Sequence, residues 1–202
     1  LQAKTVSTIA GVGRQASFAE SFPGVTQTKQ TGPWFGAPLK TPINSPWALW
    51  VHEDVLYIAM AGPHQIWSMP LDESKIGPFA GNAREDIVDG PLLPKVPYAV
   101  GASSFAQPSG LTSDGEYIYV ADSEGSSIRG VPFDKTKSVM TVVGTSELPN
   151  ARLFTFGDVD GKKENVRLQH VLGVHYDAGK IYIADTYNNK VKVVYAKTGE
   201  TT

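Results

Sequence analysis

The chain has 202 residues, enough for one domain that buries roughly 70% of its unfolded surface. A formal net charge of −2 argues against nucleic-acid binding, because proteins that bind nucleic acids usually carry a basic face. The absence of cysteine excludes disulfides, thiol catalysis and cysteine-based zinc sites, and no apolar run approaches the ~18 residues that cross a membrane. We therefore expect a soluble protein of undefined compartment. Because it begins at Leu1 with no signal-like segment, we also expect a piece of a longer protein.

The N-terminal region predicts one strand followed by a long loop. Residues 5–9 alternate in polarity and end at Ala10-Gly11, so residues 1–13 are interpreted as an orphan outer strand. Residues 14–45 are rich in Gly and Pro and lack periodicity, which predicts a loop. Within it, Trp34-Phe35 is expected to pack as an apolar plug against the body.

Three similar units follow the loop, at residues 46–81, 108–144 and 171–202, joined by connections at 82–107 and 145–170. Strands are predicted at 47–51, 55–59, 65–69 and 76–80 in the first unit. The second unit predicts strands at 109–112, 117–121, 128–133 and 139–143. The third predicts strands at 172–176, 181–184 and 191–195, and stops before a fourth.

The three units are copies of one repeat. Tyr57 precedes Tyr119 by 62 residues, and Tyr119 precedes Tyr182 by 63. The same spacings hold for two further sets of landmarks: Pro46, Pro108 and Val171, and Ile66, Ile128 and Val191. Four short antiparallel strands per repeat are typical of a β-propeller blade, which buries its faces only against neighbouring blades. The sequence therefore predicts an all-β propeller with about three blades' worth of strands.

Several segments resemble the NHL repeat, namely Pro108-Ser109-Gly110-Leu111, Tyr119-Val120-Ala121-Asp122-Ser123, Val142-Val143-Gly144 and Ile183-Ala184-Asp185-Thr186-Tyr187-Asn188-Asn189-Lys190-Val191. Residues 59–67, 104–110 and 156–161 are similar to the subfamily in which an NHL propeller follows a thioredoxin-like domain. The resemblance implies a ring that is commonly six-bladed. The family usually has Asp where Met60 stands and Pro where Val171 stands, so the first blade's loop is expected to be built differently.

Asp122 and Asp185 stand where the second strand of a blade turns toward the third. A carboxylate there can accept hydrogen bonds from loop N–H groups, so the favoured interpretation is a loop cap. The alternative is contact with a ligand at the propeller mouth. We expect that mouth to be lined by residues 60–64, 103–108, 122–127, 167–171 and 185–190, because these loops share one end of each blade.

His64 and His170 are expected to open on that same face, whereas His52 and His175 lie at the opposite end. Catalytic zinc requires three protein ligands and an open position, and one NHL-fold lyase resembles that arrangement, but only two well-placed histidines stand here. Gly157-Asp158-Val159-Asp160-Gly161 hints at a calcium loop, yet it lacks the spacing of an EF-hand. Because Asp89-Gly90 occurs in the preceding unit, a recurring turn is favoured.

The sequence favours a scaffold that binds a protein or small-molecule ligand, with no cofactor. A metal-assisted hydrolase or lyase acting in the funnel is the alternative. The aromatic residues Trp47, Trp50, Trp67, Tyr57, Tyr119 and Tyr182 are interpreted as packing between blades. Candidate ligand-binding residues are His64, Gln65, Gln107, Asp122, Glu124, His170, Asp185, Tyr187 and Asn188.

Three blades are too few to close a ring, because propellers contain about four to eight. Two copies of the chain would supply six, with residues 5–9 of one pairing beside residues 191–195 of the other. The competing explanation is that further blades belong to a longer parent chain. Both explanations stay open at this point.

Overall fold

The computed structural model describes residues 4–26 and 34–202. This part of the chain forms three antiparallel sheets, with short 3-10 helices as its helical elements. Among these residues, no helix has the length and apolar character needed to cross a membrane. The 3-10 helices are Phe18–Glu20, Pro38–Lys40, Arg152–Phe154, Lys163–Asn165 and Thr186–Asn188.

Each sheet is one blade, in which four consecutive strands run from the innermost to the outermost; in blades 2 and 3 a two-residue strand that precedes these four lies beyond the outermost one. Blade 1 contains β1 (Pro46–His52), β2 (Val55–Met60), β3 (Gln65–Pro70) and β4 (Gly77–Ala80). Blade 2 contains β5 (Gly90–Pro91), β6 (Pro108–Ser113), β7 (Tyr117–Asp122), β8 (Ser127–Pro132) and β9 (Ser138–Val143). Blade 3 contains β10 (Gly161–Lys162), β11 (Val171–Asp177), β12 (Lys180–Asp185), β13 (Lys190–Tyr195) and β14 (Glu200–Thr201).

The all-β architecture predicted from the repeat is confirmed, with two differences. Blade 3 begins its fourth strand at β14, which pairs with β13 through Val194 and Tyr195, so the prediction that the chain stops before that strand is wrong. Residues 5–9 form no strand, and no bridge between described residues includes them, so the predicted orphan outer strand is not observed. Residues 1–3 and 27–33 of the predicted strand region and loop lie outside the described residues.

The blades pack side by side, with the inner strands β1, β6 and β11 adjacent. Tyr57 and Ile66 of blade 1 share a core with Leu111 and Val120 of blade 2. The next core joins Tyr119, Ile128 and Val142 of blade 2 to Ile181, Ile183 and Val194 of blade 3. Packing between blades is thus the role of Tyr57 and Tyr119, as predicted. Trp67 instead packs within a cluster of blade 1, and Trp47 and Tyr182 are exposed.

The segment that leads into each blade also closes that blade at the outer edge. Gly90 of β5 pairs with Val139 of β9, and Gly161 of β10 pairs with Thr201 of β14. In blade 1 the same position is filled by an isolated bridge between Gly36 and Ile76. Trp34 beside this bridge is buried edge-on against Phe22, with ring centroids 5.0 Å apart, which confirms the predicted apolar plug.

Candidate functional site

One end of the propeller carries a repeated set of residues with left-handed backbone. His64, Ser126 and Asn189 occupy equivalent places in the β2–β3, β7–β8 and β12–β13 loops, with φ of 55°, 46° and 55°. Ser45, Gln107 and His170 precede the inner strands, with φ of 52°, 61° and 49°. Because non-glycine residues pay a steric cost at these angles, the repeat holds each one against its intrinsic preference.

A hydrogen bond links these two sets across each junction between blades. The Gln107 N–H donates to Nδ1 of His64 at 3.2 Å, joining blade 1 to blade 2. At the equivalent place one repeat later, the His170 N–H donates to Oγ of Ser126 at 3.2 Å. Blade 1 therefore uses an imidazole where blade 2 uses a hydroxyl, and both side chains fix the start of the next inner strand.

The side chains that gather at this end form the mouth surface, which we define as His64, Gln107, Glu124, His170 and Tyr187. Nε2 of His170 lies 3.1 Å from a carboxylate oxygen of Glu124. The His170 ring stacks on Tyr187 with centroids 4.1 Å apart, and the edge of Phe156 approaches it at 6.2 Å. His170 is thus held in place on three sides, whereas Tyr187 remains 60% exposed.

The two histidines of the mouth surface share the field of one carboxylate. Burial lowers the pKa of His64, and the negative charges of Glu85 and Glu124 partly oppose this shift. Glu124 contacts His170 directly, and its charge also acts on His64. The Nδ1 atom of His64 accepts a hydrogen bond from Gln107, so the neutral ring is the form that fits this junction.

Asp122 is fully buried and anchors the loop before β6. One carboxylate oxygen accepts the Ala106 N–H at 2.7 Å, and the other lies 3.3 Å from the guanidinium of Arg129. Burial raises the pKa of Asp122 to about 7, against the opposing effects of Arg129 and the Ala106 N–H. Arg129 is itself buried and also donates to Asp89 at 2.9 Å. Asp122 is therefore a loop cap within an ion-pair network and is out of reach of a mouth ligand.

Asp185 has the same role in blade 3. It accepts the Gln169 N–H at 2.7 Å and the amide of Asn188 at 2.8 Å, and Lys192 lies 3.7 Å away. Asn188 also donates to the Gly157 carbonyl, so both of its partners are parts of the fold. Asp185, which is fully buried, is consequently a structural residue and not a ligand contact. Asn188 is partly exposed, and its side-chain amide is bound within the fold.

Gln65 is also removed from the mouth surface, because it is completely buried. Its amide nitrogen donates to the Gly81 carbonyl at 3.1 Å, and its oxygen accepts from the Trp67 indole at 2.8 Å. The position next to His64 suggested exposure, but successive strand residues point to opposite faces, and Gln65 begins β3.

The segment from Gly157 to Gly161 is not the recurring turn that the sequence favoured, because Val159 forms an antiparallel bridge with Arg167. Asp158 and Asp160 both contact Lys192 at 2.8 Å, and Gly161 starts the edge strand β10. Asp89-Gly90 does the same in blade 2, where Asp89 pairs with Arg129. Among residues 4–26 and 34–202, no three His, Asp or Glu side chains are grouped to hold a metal ion.

Sequence reasoning missed the aromatic and acidic residues that border the mouth surface. Phe156 is 45% exposed beside His170, and Phe154 is more exposed still. Glu85 follows blade 1 and acts on His64. Phe154 and Glu85 line an open cavity of about 300 Å³, next to the Arg152–Asp86 ion pair. The sequence signal that could have revealed these residues is the pair of aromatic side chains, Phe154 and Phe156, within the connection at residues 145–170.

Comparison with known proteins shows the family of the repeat. NHL repeat-containing protein 2 from Bos taurus is 40% identical over 98% of this chain, and the Homo sapiens protein is 38% identical over the same share. This chain is an NHL-repeat propeller segment. It spans 28% of the length of each of these relatives. No protein-family model matches the chain.

A solved structure supports the same fold for the NHL segment. An auxiliary nutrient binding protein from Bacteroides thetaiotaomicron VPI-5482 superposes with a TM-score of 0.55 at 21% identity. The match covers 73% of this chain and 37% of that protein. At this level of identity the similarity concerns the fold alone.

Proposed function

We propose that this chain is a propeller scaffold that binds a Lys- or Arg-containing protein segment at the mouth surface. The observation that carries the proposal is the placement of His64, Gln107 and His170 at left-handed backbone positions. An L side chain there costs on the order of 1 kcal/mol that glycine would avoid. Strained residues of this kind concentrate at ligand-binding sites, where the side chain supplies what glycine cannot.

The chemistry of the mouth surface suits a positive charge. Glu124 retains 39% exposure of its side chain and Glu85 is exposed nearby, so two carboxylates face the site. Tyr187 and Phe156 present exposed ring surface beside them. A guanidinium or ammonium gains from carboxylates through charge-assisted hydrogen bonds and from aromatic faces through cation–π attraction. The same carboxylates would repel a phosphate backbone, which supports the expectation that nucleic acid is not the partner.

An array of eight-residue peptides with a central Arg, Lys, Glu or Leu tests the proposal. We expect the Arg and Lys peptides to bind, with affinity that falls as salt is raised, because partly exposed charges are screened. Tyr187→Ala and Glu124→Gln should each weaken binding about tenfold. Glu53→Gln is the matched control, since Glu53 is exposed in the β1–β2 turn at the opposite end. Binding only to Glu or Leu peptides, or to small cations but not peptides, would contradict the proposal.

His170→Gly separates a ligand-binding role from a structural one. Glycine relieves the left-handed strain of about 1 kcal/mol, while the stacking on Tyr187 that is lost is worth a similar amount. We therefore expect the free energy of unfolding to stay within about 1 kcal/mol of the unaltered chain while peptide binding is lost. Retained binding together with a large loss of stability would assign His170 to the fold alone.

A further inference from the structure

Blades 2 and 3 leave an open cleft between their outer edges. The cleft has a volume of about 560 Å³. Its walls are β9 and the residues that follow it on one side, and the 3-10 helix Lys163–Asn165 with the turn between β13 and β14 on the other. None of its lining residues belongs to the mouth surface, and both walls come from adjacent blades within the chain.

One wall position can be matched with the junction between blades 1 and 2 by its hydrogen bond. The carbonyl of Leu92 accepts the N–H of Gly81 at 2.8 Å, and the carbonyl of Lys163 accepts the N–H of Gly144 at 3.3 Å. Leu92 is buried in the core between blades 1 and 2, whereas Lys163 is exposed at the cleft. A charged side chain therefore stands where the preceding junction has an apolar one.

Two further positions have a phenylalanine in one junction and a smaller residue in the other. The strand pairing matches Phe79 of β4 with Val142 of β9. It also matches Phe133, which follows β8, with Ala196, which follows β13. The phenylalanines pack into the core between blades 1 and 2, and their counterparts pack into the core between blades 2 and 3. Because protein interiors are close-packed, replacing two rings with a valine and an alanine leaves unfilled volume, which explains why the second junction is open.

The cleft combines apolar side chains with charges of both signs. Its apolar lining residues are Met140, Val142 and Ala196, and its charged ones are Lys163, Lys197, Glu147 and Glu164. Within residues 4–26 and 34–202, the charged groups of these four side chains form no hydrogen bond or ion pair. Lys163 also has left-handed backbone, with φ of 47°, which carries a steric cost for a non-glycine residue and is frequent at binding sites.

We propose that this cleft binds a free α-amino acid with an aromatic side chain. The ring occupies the volume that two phenylalanine rings fill in the preceding junction, and it contacts Val142 and Ala196. The carboxylate of the ligand pairs with Lys163 and Lys197, and its ammonium group pairs with the two glutamates, through charge-assisted hydrogen bonds. The volume of the cleft lies within the range of about 300–1,000 Å³ in which proteins bind small molecules.

The charges of the cleft favour a zwitterion over a simple anion or cation. An anion is attracted by the two lysines but repelled by the two glutamates, and a cation meets the opposite balance. A free amino acid carries both charges within a few bonds of its ring, whereas a residue inside a peptide chain carries neither charge on its backbone. The free amino acid is therefore the ligand class that matches all of the lining groups.

Calorimetric titration of the 202-residue chain with L-phenylalanine tests the proposal. We expect saturable binding of one molecule per chain, with a dissociation constant on the order of 1 mM or below. Alanine, 3-phenylpropionate and 2-phenylethylamine each lack one of the three recognised groups, and each should bind about tenfold more weakly. A titration that shows no saturation up to about 10 mM would overturn the proposal. Equal affinity for 3-phenylpropionate or 2-phenylethylamine would contradict the assignment of a zwitterion.

Ala196→Phe refills the cleft with the side chain that the preceding junction has at the equivalent place. Because Ala196 is only partly buried, the new ring extends into open volume and the variant should keep its fold. We expect phenylalanine binding to weaken about tenfold or more, with an unchanged or raised melting temperature. Thr198→Phe is the matched control, because Thr198 is exposed in the same turn and does not line the cleft. Equal losses of binding in the two variants would contradict the placement of the ring.

Lys163→Leu tests the charged part of the site without adding a ring. Leucine is the residue at the equivalent place between blades 1 and 2, and Lys163 is exposed, so this variant should fold. Binding of L-phenylalanine should weaken about tenfold, whereas binding of 2-phenylethylamine, which has no carboxylate, should not change. Lys162→Leu is the control, because Lys162 pairs with Glu200 outside the cleft. Unchanged binding in Lys163→Leu, or displacement of phenylalanine by the Arg peptide of the mouth surface, would place the ligand elsewhere and overturn the proposal.

Discussion

Blade 1 and blade 2 fill an equivalent pair of buried positions with different side chains, apolar in blade 1 and charged in blade 2. In blade 2, Asp122 and Arg129 form a buried ion pair seven residues apart. At the equivalent positions blade 1 has Met60 and Trp67, which are also buried and belong to one apolar cluster. The family's usual Asp is therefore replaced together with its cation. In blade 1 the loop is anchored instead by Asn44, whose side-chain amide donates to the Ala16 carbonyl and accepts a hydrogen bond from the Gln15 side chain.

The difference shows that the repeat requires side chains that fill these two buried positions and leave no polar group unpaired. It does not require that the side chains be charged. A buried ion pair regains through Coulomb attraction roughly what it loses in hydration, so a well-packed apolar pair of similar volume is a comparable solution. Changing only one member is costly, because it leaves either a charge without a counter-ion or a cavity. Blade 3 also has charged residues at these positions. Lys192 there has three carboxylate neighbours: Asp158, Asp160 and Asp185.

The largest effect is expected for Met60→Asp, which introduces the family's carboxylate without its cation. We predict a loss of about 4 kcal/mol in the free energy of unfolding, because the new carboxyl group is buried beside Trp67. Chemical denaturation measures the loss. The double variant Met60→Asp/Trp67→Arg should recover about 2 kcal/mol relative to the sum of the single variants. Additive single effects would show that these two positions do not act as a pair in blade 1.

Asp122→Ala is expected to cost about 3 kcal/mol, because it leaves Arg129 buried and removes the acceptor of the Ala106 N–H. The remaining contact of Arg129 with Asp89 keeps the cost below that of Met60→Asp. Urea titration gives the value. The folded variant should still bind at the mouth surface. Loss of ligand with unchanged stability would return Asp122 to the binding site.

Asp185→Ala should cost only about 1–2 kcal/mol, since Lys192 keeps Asp158 and Asp160 as partners. It is the matched comparison for Asp122→Ala, because each removes the cap of an equivalent loop. Both variants should be measured by the same titration. Equal losses would mean that the cap alone determines stability and that the burial of the cation does not.

His64→Ser should give the smallest effect and should remove a pH dependence. Because burial lowers the pKa of His64, the unfolded chain binds this proton more readily, so stability is present above the unfolded pKa of about 6.5 and is lost as pH falls below it. We expect a decline below about 1 kcal/mol toward pH 5. Serine occupies the equivalent place at residue 126 and accepts the same type of bond. The variant should therefore lack this part of the decline in thermal melts, and an identical decline would contradict the assignment.

The sequence predicted the strands well because register repeats at 62 and 63 residues and each strand is short and apolar. The loop caps were also predicted, although each Asp accepts its N–H from a residue 16 positions earlier in the chain, Asp122 from Ala106 and Asp185 from Gln169. Prediction failed where burial depends on residues distant in sequence. Gln65 is buried by a contact with Gly81, and Phe156 reaches His170 only because the connection before blade 3 folds back over the mouth. Neither arrangement leaves a periodic signal.

The short edge strands have a consequence for how the chain folds and how such repeats multiply. β5 precedes the other strands of blade 2 in the sequence and pairs with the last of them, β9, as β10 pairs with β14 in blade 3. The first and last strands of each of these blades therefore pair with each other within about one repeat length of the sequence. A short separation of this kind keeps the entropic cost of loop closure low. Each such blade is a self-contained unit. Gene duplication could add another such unit without changing the structure of its neighbours. The two-residue edge strand would also protect the new outer edge from pairing with other chains.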